Sequence, residues 1–237
     1  MADEVLLMLV RQLAAAAVLV AVAVVPALAQ KVEERVDRTI PFQPGGTLRL
    51  KTFSGKVEIR GTQGNEVVIH AVRRAEADKL REIRFDIQTD GSTITIEAND
   101  HDDRRDNDNV VEADIEIQVP MQTRLDVTSF SAPVTVRQVE GRADLDTFSG
   151  NVVVEAATWP DGQELDVNTF SGDIALRIPG GARGELSFNT FSGDLTSDVP
   201  LTLSRAKGRR NVQGALNGGG SGRMRLKTFS GDATVRQ

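Results

Sequence analysis

The chain has 237 residues, 40% hydrophobic and 26% charged, which is enough to bury a core of its own. A formal charge of −6 excludes the concentrated basic surface that a nucleic-acid partner needs. With no cysteine there is no disulfide framework, no thiolate chemistry and no lipid-attachment cysteine, and an aromatic share of 4% leaves the core mainly to Val, Ile, Leu and Ala.

Residues 1–29 read as a cleaved secretory signal peptide. Leu13 to Val25 is an unbroken apolar run, Pro26 follows, and Ala27-Leu28-Ala29 gives a small-x-small cleavage signal before Gln30. The run is short for a bilayer span. Asp3 and Glu4 make its leading segment acidic, whereas a start at Met8 would leave Arg11 as the only charge there. No second long apolar run follows, so the sequence predicts no transmembrane segment after cleavage. The product is expected to be exported, periplasmic or extracellular, with its domain running from 30 to 237.

Thr52-Phe53-Ser54-Gly55 is the first of five TFSG tetrapeptides; the others place Phe148, Phe170, Phe191 and Phe229, and Ser129-Phe130-Ser131-Ala132 is an altered sixth. Leu48 and Leu50 precede Phe53 at odd offsets, while Val57 and Ile59 follow at even ones, and the other copies repeat the pattern. Each flank alternates as a strand does, but the phase switches at the motif, so the chain must bend or bulge there. TFSG is therefore read as a corner: Thr points inward, the bend re-aims Phe inward as well, and Gly is required for its smallness, since Ala132 replaces it once.

From Phe130 to Phe148, Phe170 and Phe191 the steps are 18, 22 and 21 residues. That period predicts an all-β, single-domain parallel β-helix or β-solenoid with coils of about 20 residues. Coils stacked about 4.8 Å apart would place Phe53, Phe130, Phe148, Phe170, Phe191 and Phe229 in one internal ladder.

Val57 to Val119 fits the repeat less well. It carries strand-like runs at Val67–Ile69, Ile83–Ile87, Ile94–Ile96 and Asp114–Val119, and Ala75 to Ile83 is rich in helix formers. Residues 99–109, NDHDDRRDNDN, read as an exposed acidic loop. Further on, SRAKGRR (Ser204 to Arg210) reads as a solvated turn, and Asn211 to Thr228 as a Gly-rich turn joining the last two coils.

The recurrent TFSG followed by Asp173, Asp194 or Asp232, with the closing GALNGGG…RLKTFSGDATV, resembles the bacterial putative-adhesin family, a β-strand-repeat domain of unknown function. The resemblance covers most of the chain after residue 30. It implies a right- or left-handed parallel β-solenoid of the cell envelope and brings no catalytic residues with it.

His70 and His101 are the only histidines, and neither has a nucleophile or metal-ligand neighbour at recognisable spacing. Asp126, Asp144 and Asp166 recur four residues before the motif Phe, and Asp146 joins them on the same outward face. These four form a candidate acidic binding stripe, with Asn151, Asp173, Asp194 and Asp232 making a second column after the corner. Calcium is the ion such oxygen ligands suit, so a calcium-responsive envelope module is one alternative; otherwise no cofactor is expected. A polysaccharide lyase or glycosidase is another, but Trp159 is the sole aromatic outside the Phe set to serve as a sugar platform. The preferred expectation is a non-enzymatic, adhesin-like binding or scaffolding module. Its partner would be an envelope protein, a wall polymer, or a second copy meeting the edge of the C-terminal coil.

Overall fold

The computed structural model describes residues 31–100, 111–208 and 210–237. The expected signal peptide (1–29) and nearly all of the acidic loop (99–109) fall outside the described residues. Among the described residues no helix is long and apolar enough to cross a membrane.

Strands build two large sheets. The nine-stranded sheet runs in the order β1 (Val32–Pro41), β4 (Glu66–Ala75), β7 (Glu112–Pro120), β3 (Ser54–Thr62) and β9 (Val134–Arg137). It continues through β11 (Val152–Glu155), β13 (Ile174–Arg177), β19 (Ala233–Arg236) and β15 (Leu195–Ser197). The ten-stranded sheet begins with β16 (Leu201–Lys207), β17 (Asn211–Leu216), β14 (Gly184–Ser192), β18 (Gly222–Ser230) and β12 (Glu164–Thr169). Beyond them lie β10 (Ala143–Thr147), β8 (Arg124–Ser129), β2 (Thr47–Thr52), β6 (Thr93–Asp100) and β5 (Arg84–Asp90). A short helix, α1 (Ala77–Glu82), sits where helix formers cluster.

This corrects the expected parallel β-helix. Both sheets are mixed: β1–β4, β4–β7, β5–β6, β14–β17 and β16–β17 pair antiparallel. Nor do strands stack in chain order, because β18 lies between β12 and β14 and β19 between β13 and β15. A repeated motif specifies the local bend but not which segment becomes its neighbour. The segments without the motif are free to return as hairpins.

The same pairing removes the expected C-terminal edge. β19 is hydrogen-bonded on both sides, to β13 and β15, and so offers no open ladder. The basic segment read as a turn is strand as far as Lys207, the end of the edge strand β16, with the turn at Gly208 and Arg210. The Gly-rich stretch contains β17 and much of β18, with its turn confined to Asn217–Ser221.

Six strand pairs each pass from the ten-stranded to the nine-stranded sheet through a motif corner, forming six L-shaped rungs: β2/β3, β8/β9, β10/β11, β12/β13, β18/β19 and β14/β15. Leu48, Leu50, Leu125, Val127, Leu165 and Val167 line the inside of one sheet and Val57, Ile59, Val134, Val136, Ile174 and Leu176 the other, within one core cluster. Along these strands every second residue is buried, as strand alternation requires, except on the edge strand β15.

Candidate functional site: an exposed phenylalanine ridge

At each corner the motif threonine or serine points inward: Thr52, Ser129, Thr147, Thr169, Thr190 and Thr228 are all buried. Three of their hydroxyls satisfy the backbone of their own bend, while Thr52 Oγ1 has no partner among the described residues. Ser129 Oγ donates to the carbonyl of Ala132 at 2.8 Å, Thr147 Oγ1 to that of Gly150 at 2.7 Å, and Thr169 Oγ1 accepts from the Gly172 N–H at 2.9 Å.

The phenylalanines point the other way, which overturns the expectation of an internal ladder. Phe130, Phe148, Phe170 and Phe229 are 44–47% exposed and Phe191 70% exposed, with Phe53 half-buried. A phase switch can be made by two successive inward residues or two successive outward ones. On the outside of a bend the chain has room, so Phe and the following Ser both face solvent and burial resumes at the glycine.

Stacking survives this reversal. Ring centroids are 4.7 Å apart for Phe53–Phe130, 4.9 Å for Phe130–Phe148 and Phe148–Phe170, 4.8 Å for Phe170–Phe229 and 5.0 Å for Phe229–Phe191. The planes lie within 8° of parallel. Backbone bonds between rungs run straight through the corner and hold this registry: Phe130 N–H donates to Thr52 O, Phe148 to Ser129 O, Phe170 to Thr147 O.

The glycine is small by necessity. A Cβ on Gly150, Gly172 or Gly231 would lie 2.2–2.3 Å from the carbonyl oxygen of Ala132, Gly150 or Gly172 on the next rung. None of these three has a positive φ, so the close approach of rungs, and not a left-handed backbone, sets the residue there.

Beside the ridge runs a groove of about 710 Å³. Its far wall is the outward column two residues before each Phe: Lys51, Thr128, Asp146, Asn168, Lys227 and Asn189. Lys51 pairs with Glu97 at 2.9 Å, and Asn168 Nδ2 donates to Asp146 Oδ1 at 3.0 Å. Sequence reading picked out Asp146 from this wall but missed Lys51, Asn168 and Lys227; the alternation that places them opposite the rings was visible in their spacing.

The acidic stripe forms as a column, since Asp126, Asp144 and Asp166 are register partners on β8, β10 and β12. Its charge is met by arginines. Arg49 lies 3.4 Å from Asp126, Arg142 2.9 Å from Asp144, and Arg225 3.4 Å from Asp166. Arg142 also reaches Glu164 at 2.9 Å, and the Asp144 carboxylate raises its affinity for its proton. Among the described residues no three His, Cys, Asp or Glu side chains converge to hold a metal ion.

The second column is structural. Asn151 Oδ1 accepts the N–H of Asp173, Asp173 Oδ1 that of Asp232, and Asp232 Oδ1 that of Asp194, each at 2.8–2.9 Å. These acceptors tie one rung to the next just after the corner, which explains why Asp follows TFSG. His70 Nδ1 lies 2.6 Å from Asp37 Oδ1 on the exposed surface, a pair between β1 and β4.

The sequence pattern of the Toastrack DUF4097 family matches residues 46–236. No curated protein matches the chain. Among solved structures it is similar to a "putative cell adhesion protein" from Clostridium sporogenes, with 11% identity, a TM-score of 0.66, and 88% of this chain and 100% of that one covered. It is also similar to a "putative adhesin" from Bacteroides fragilis, at 12% identity, TM-score 0.30 and coverages of 85% and 97%. A "putative lipid binding protein" from Parabacteroides distasonis gives 9%, 0.32, 86% and 97%. The first of these shows a shared fold; the scores of the other two carry no argument.

Proposed function

The chain belongs to the Toastrack DUF4097 family, and from that premise we propose that it is an adhesin-like, non-enzymatic binding module of the cell envelope that meets its partner through the phenylalanine ridge. One observation carries this reading: six aromatic rings, five of them about half exposed or more, form an unbroken apolar strip on the outside of a folded domain. A contiguous exposed apolar strip rimmed by polar side chains marks an interaction surface, whereas single exposed apolar residues do not. Phe, Lys, Asp and Asn side chains across one groove supply apolar area and hydrogen-bond partners together. The carboxylates that a glycosidase would need are held by Arg49, Arg142 and Arg225 on the sheet surface, so the enzymatic alternative draws no support from the geometry. The Clostridium sporogenes structure, which shares the fold, is named for cell adhesion, and that name agrees with the reading. A cleaved leader at 1–29, as the sequence predicts, would export such a module to the periplasm or beyond.

The test is adhesion of beads coated with the full chain, expressed in an exporting host, to cells of the organism that encodes it. Phe148→Ala/Phe170→Ala beads are expected to lose most of the adhesion of wild-type beads. Equal adhesion by the two would remove the ridge from the function.

A further inference from the structure

We propose that the partner of the ridge is a second copy of the same chain, the two ridges lying parallel about a two-fold axis, each seated in the other's groove. This rests on the reading of the ridge as the binding surface and names what binds there.

Periodicity is the first argument. The strip repeats every 4.7–5.0 Å over six rungs. An extended peptide laid along it advances about 3.3 Å per residue and falls out of step within a few residues. Another β-ladder has the same repeat of about 4.8 Å and stays in step along the whole strip. The rings also cover one another's faces, so they present edges and not the flat platforms on which a sugar stacks.

Symmetry is the second. Ridge and groove lie side by side on one surface, so a two-fold axis parallel to the ridge puts each ridge into the opposite groove with one operation. The contact is isologous and closes as a dimer. It sets each rung against its own counterpart.

Charge is the third. In this register the groove wall faces the serines and aspartates that follow the corner in the second copy. Lys227, which has no ion-pair partner among the described residues, meets Ser230 and Asp232 of the second copy, and Asn168 meets Ser171 and Asp173. Only at the first rung do like charges face each other, Lys51 against Lys56, and there each lysine is already paired within its own chain, to Glu97 and to Glu58.

Size is the fourth. A phenylalanine buries about 150–250 Å² when fully covered. Six rings with roughly half of that still exposed offer on the order of 500–600 Å² per copy, so the pair reaches about 1,000–1,200 Å², the lower bound for a specific interface. The contact is therefore weak singly and effective when many copies are displayed on one surface.

Sedimentation equilibrium of the full chain, beads coated with it, and oxidative cross-linking test this together. The protein has no cysteine of its own, so Asn168→Cys and Ser171→Cys chains can be mixed. We expect reversible dimers in the micromolar range, at least tenfold weaker for Phe148→Ala/Phe170→Ala and several-fold weaker for Lys227→Glu, clumping of wild-type beads, and a disulfide in the mixture. A wild-type monomer at about 1 mM, a dimer unchanged by both variants, or a dimer whose mixed cysteines never cross-link would each overturn the proposal. Beads that adhere to cells through the rings but never clump would overturn the second copy as partner and leave the adhesin reading standing. Adhesion independent of the rings would overturn that reading itself.

Discussion

Phe170 stacks on Phe229 with centroids 4.8 Å apart and parallel planes, although Phe191 is the next motif ring along the chain. Phe191 lies beyond Phe229, on the far side of the inserted rung β18/β19. Because the rings stand outside the core, Phe170→Ala should cost about 1–3 kcal/mol of stability, the worth of its two stacked pairs with Phe148 and Phe229. A buried phenylalanine would cost about 3–5 kcal/mol. Urea unfolding distinguishes the two, and a loss in the upper range would mean that the ring is part of the core.

Gly172→Ala should be far more damaging than Ser171→Ala. The new methyl would sit 2.2 Å from the carbonyl oxygen of Gly150, which belongs to the adjacent rung and cannot move alone. A cost of about 1–3 kcal/mol is expected for the glycine and within about 0.5 kcal/mol for the exposed serine. Similar melting temperatures for the two variants would refute close rung contact as the reason for the glycine.

Asp173 acts as an acceptor for the Asp232 N–H at 2.9 Å, as Asn151 does for Asp173. Asp173→Ala should therefore lose about 0.5–1.5 kcal/mol and speed exchange of the Asp232 amide. Asp173→Asn should keep both, since an amide oxygen does the same work. Equal losses in Ala and Asn would show that charge, not the acceptor, matters there.

Glu58 is held below the usual carboxylate range by its hydrogen bond from Lys56, with Arg137 adding to the effect. A depressed carboxyl stabilises the fold fully above its unfolded value, about 4.3, and that contribution is lost as pH falls through the folded value. Glu58→Gln should accordingly flatten the acid limb of the stability profile and leave the fold's stability near pH 7 lower than wild type. An unchanged acid limb would contradict the pairing.

Arg73 is buried, its guanidinium bound to Glu34 on β1 and to the Ile83 carbonyl at the end of α1, with Nε unpartnered among the described residues. Glu34→Gln should cost about 1–3 kcal/mol, kept modest because Glu34 is itself half exposed. Arg73→Met should be milder, since it takes the charge out of the interior and leaves Glu34 half exposed to water. Denaturant midpoints in the reverse order would show that the ion pair contributes little.

Much of the local structure was legible. Alternation around each Phe located the strands of all six rungs, helix formers marked α1, and one Ala in place of Gly pointed to smallness at the corner. What alternation does not encode is direction. An out-of-phase junction reads the same whether its two residues face in or out, and only the shape of the bend decides for Phe130 and Ser131. Neighbour order was hidden for a different reason: β12 could pair with β14 or with β18, whose sequences LSFNTFSGD and MRLKTFSGD carry the same corner. The arginines that neutralise Asp126, Asp144 and Asp166 were hidden likewise, because Arg49 and Arg225 arrive from distant segments.

The insertion of β18/β19 also constrains how the chain acquires its structure. Segments made earlier, β12/β13 and β14/β15, cannot close on each other without filling the slot that a later segment must occupy. A nascent chain emerging from its amino end would be trapped by early pairing between them. The end of the ladder beyond β12/β13 therefore has to wait until translation has passed that later segment, although the rungs before it can pair sooner.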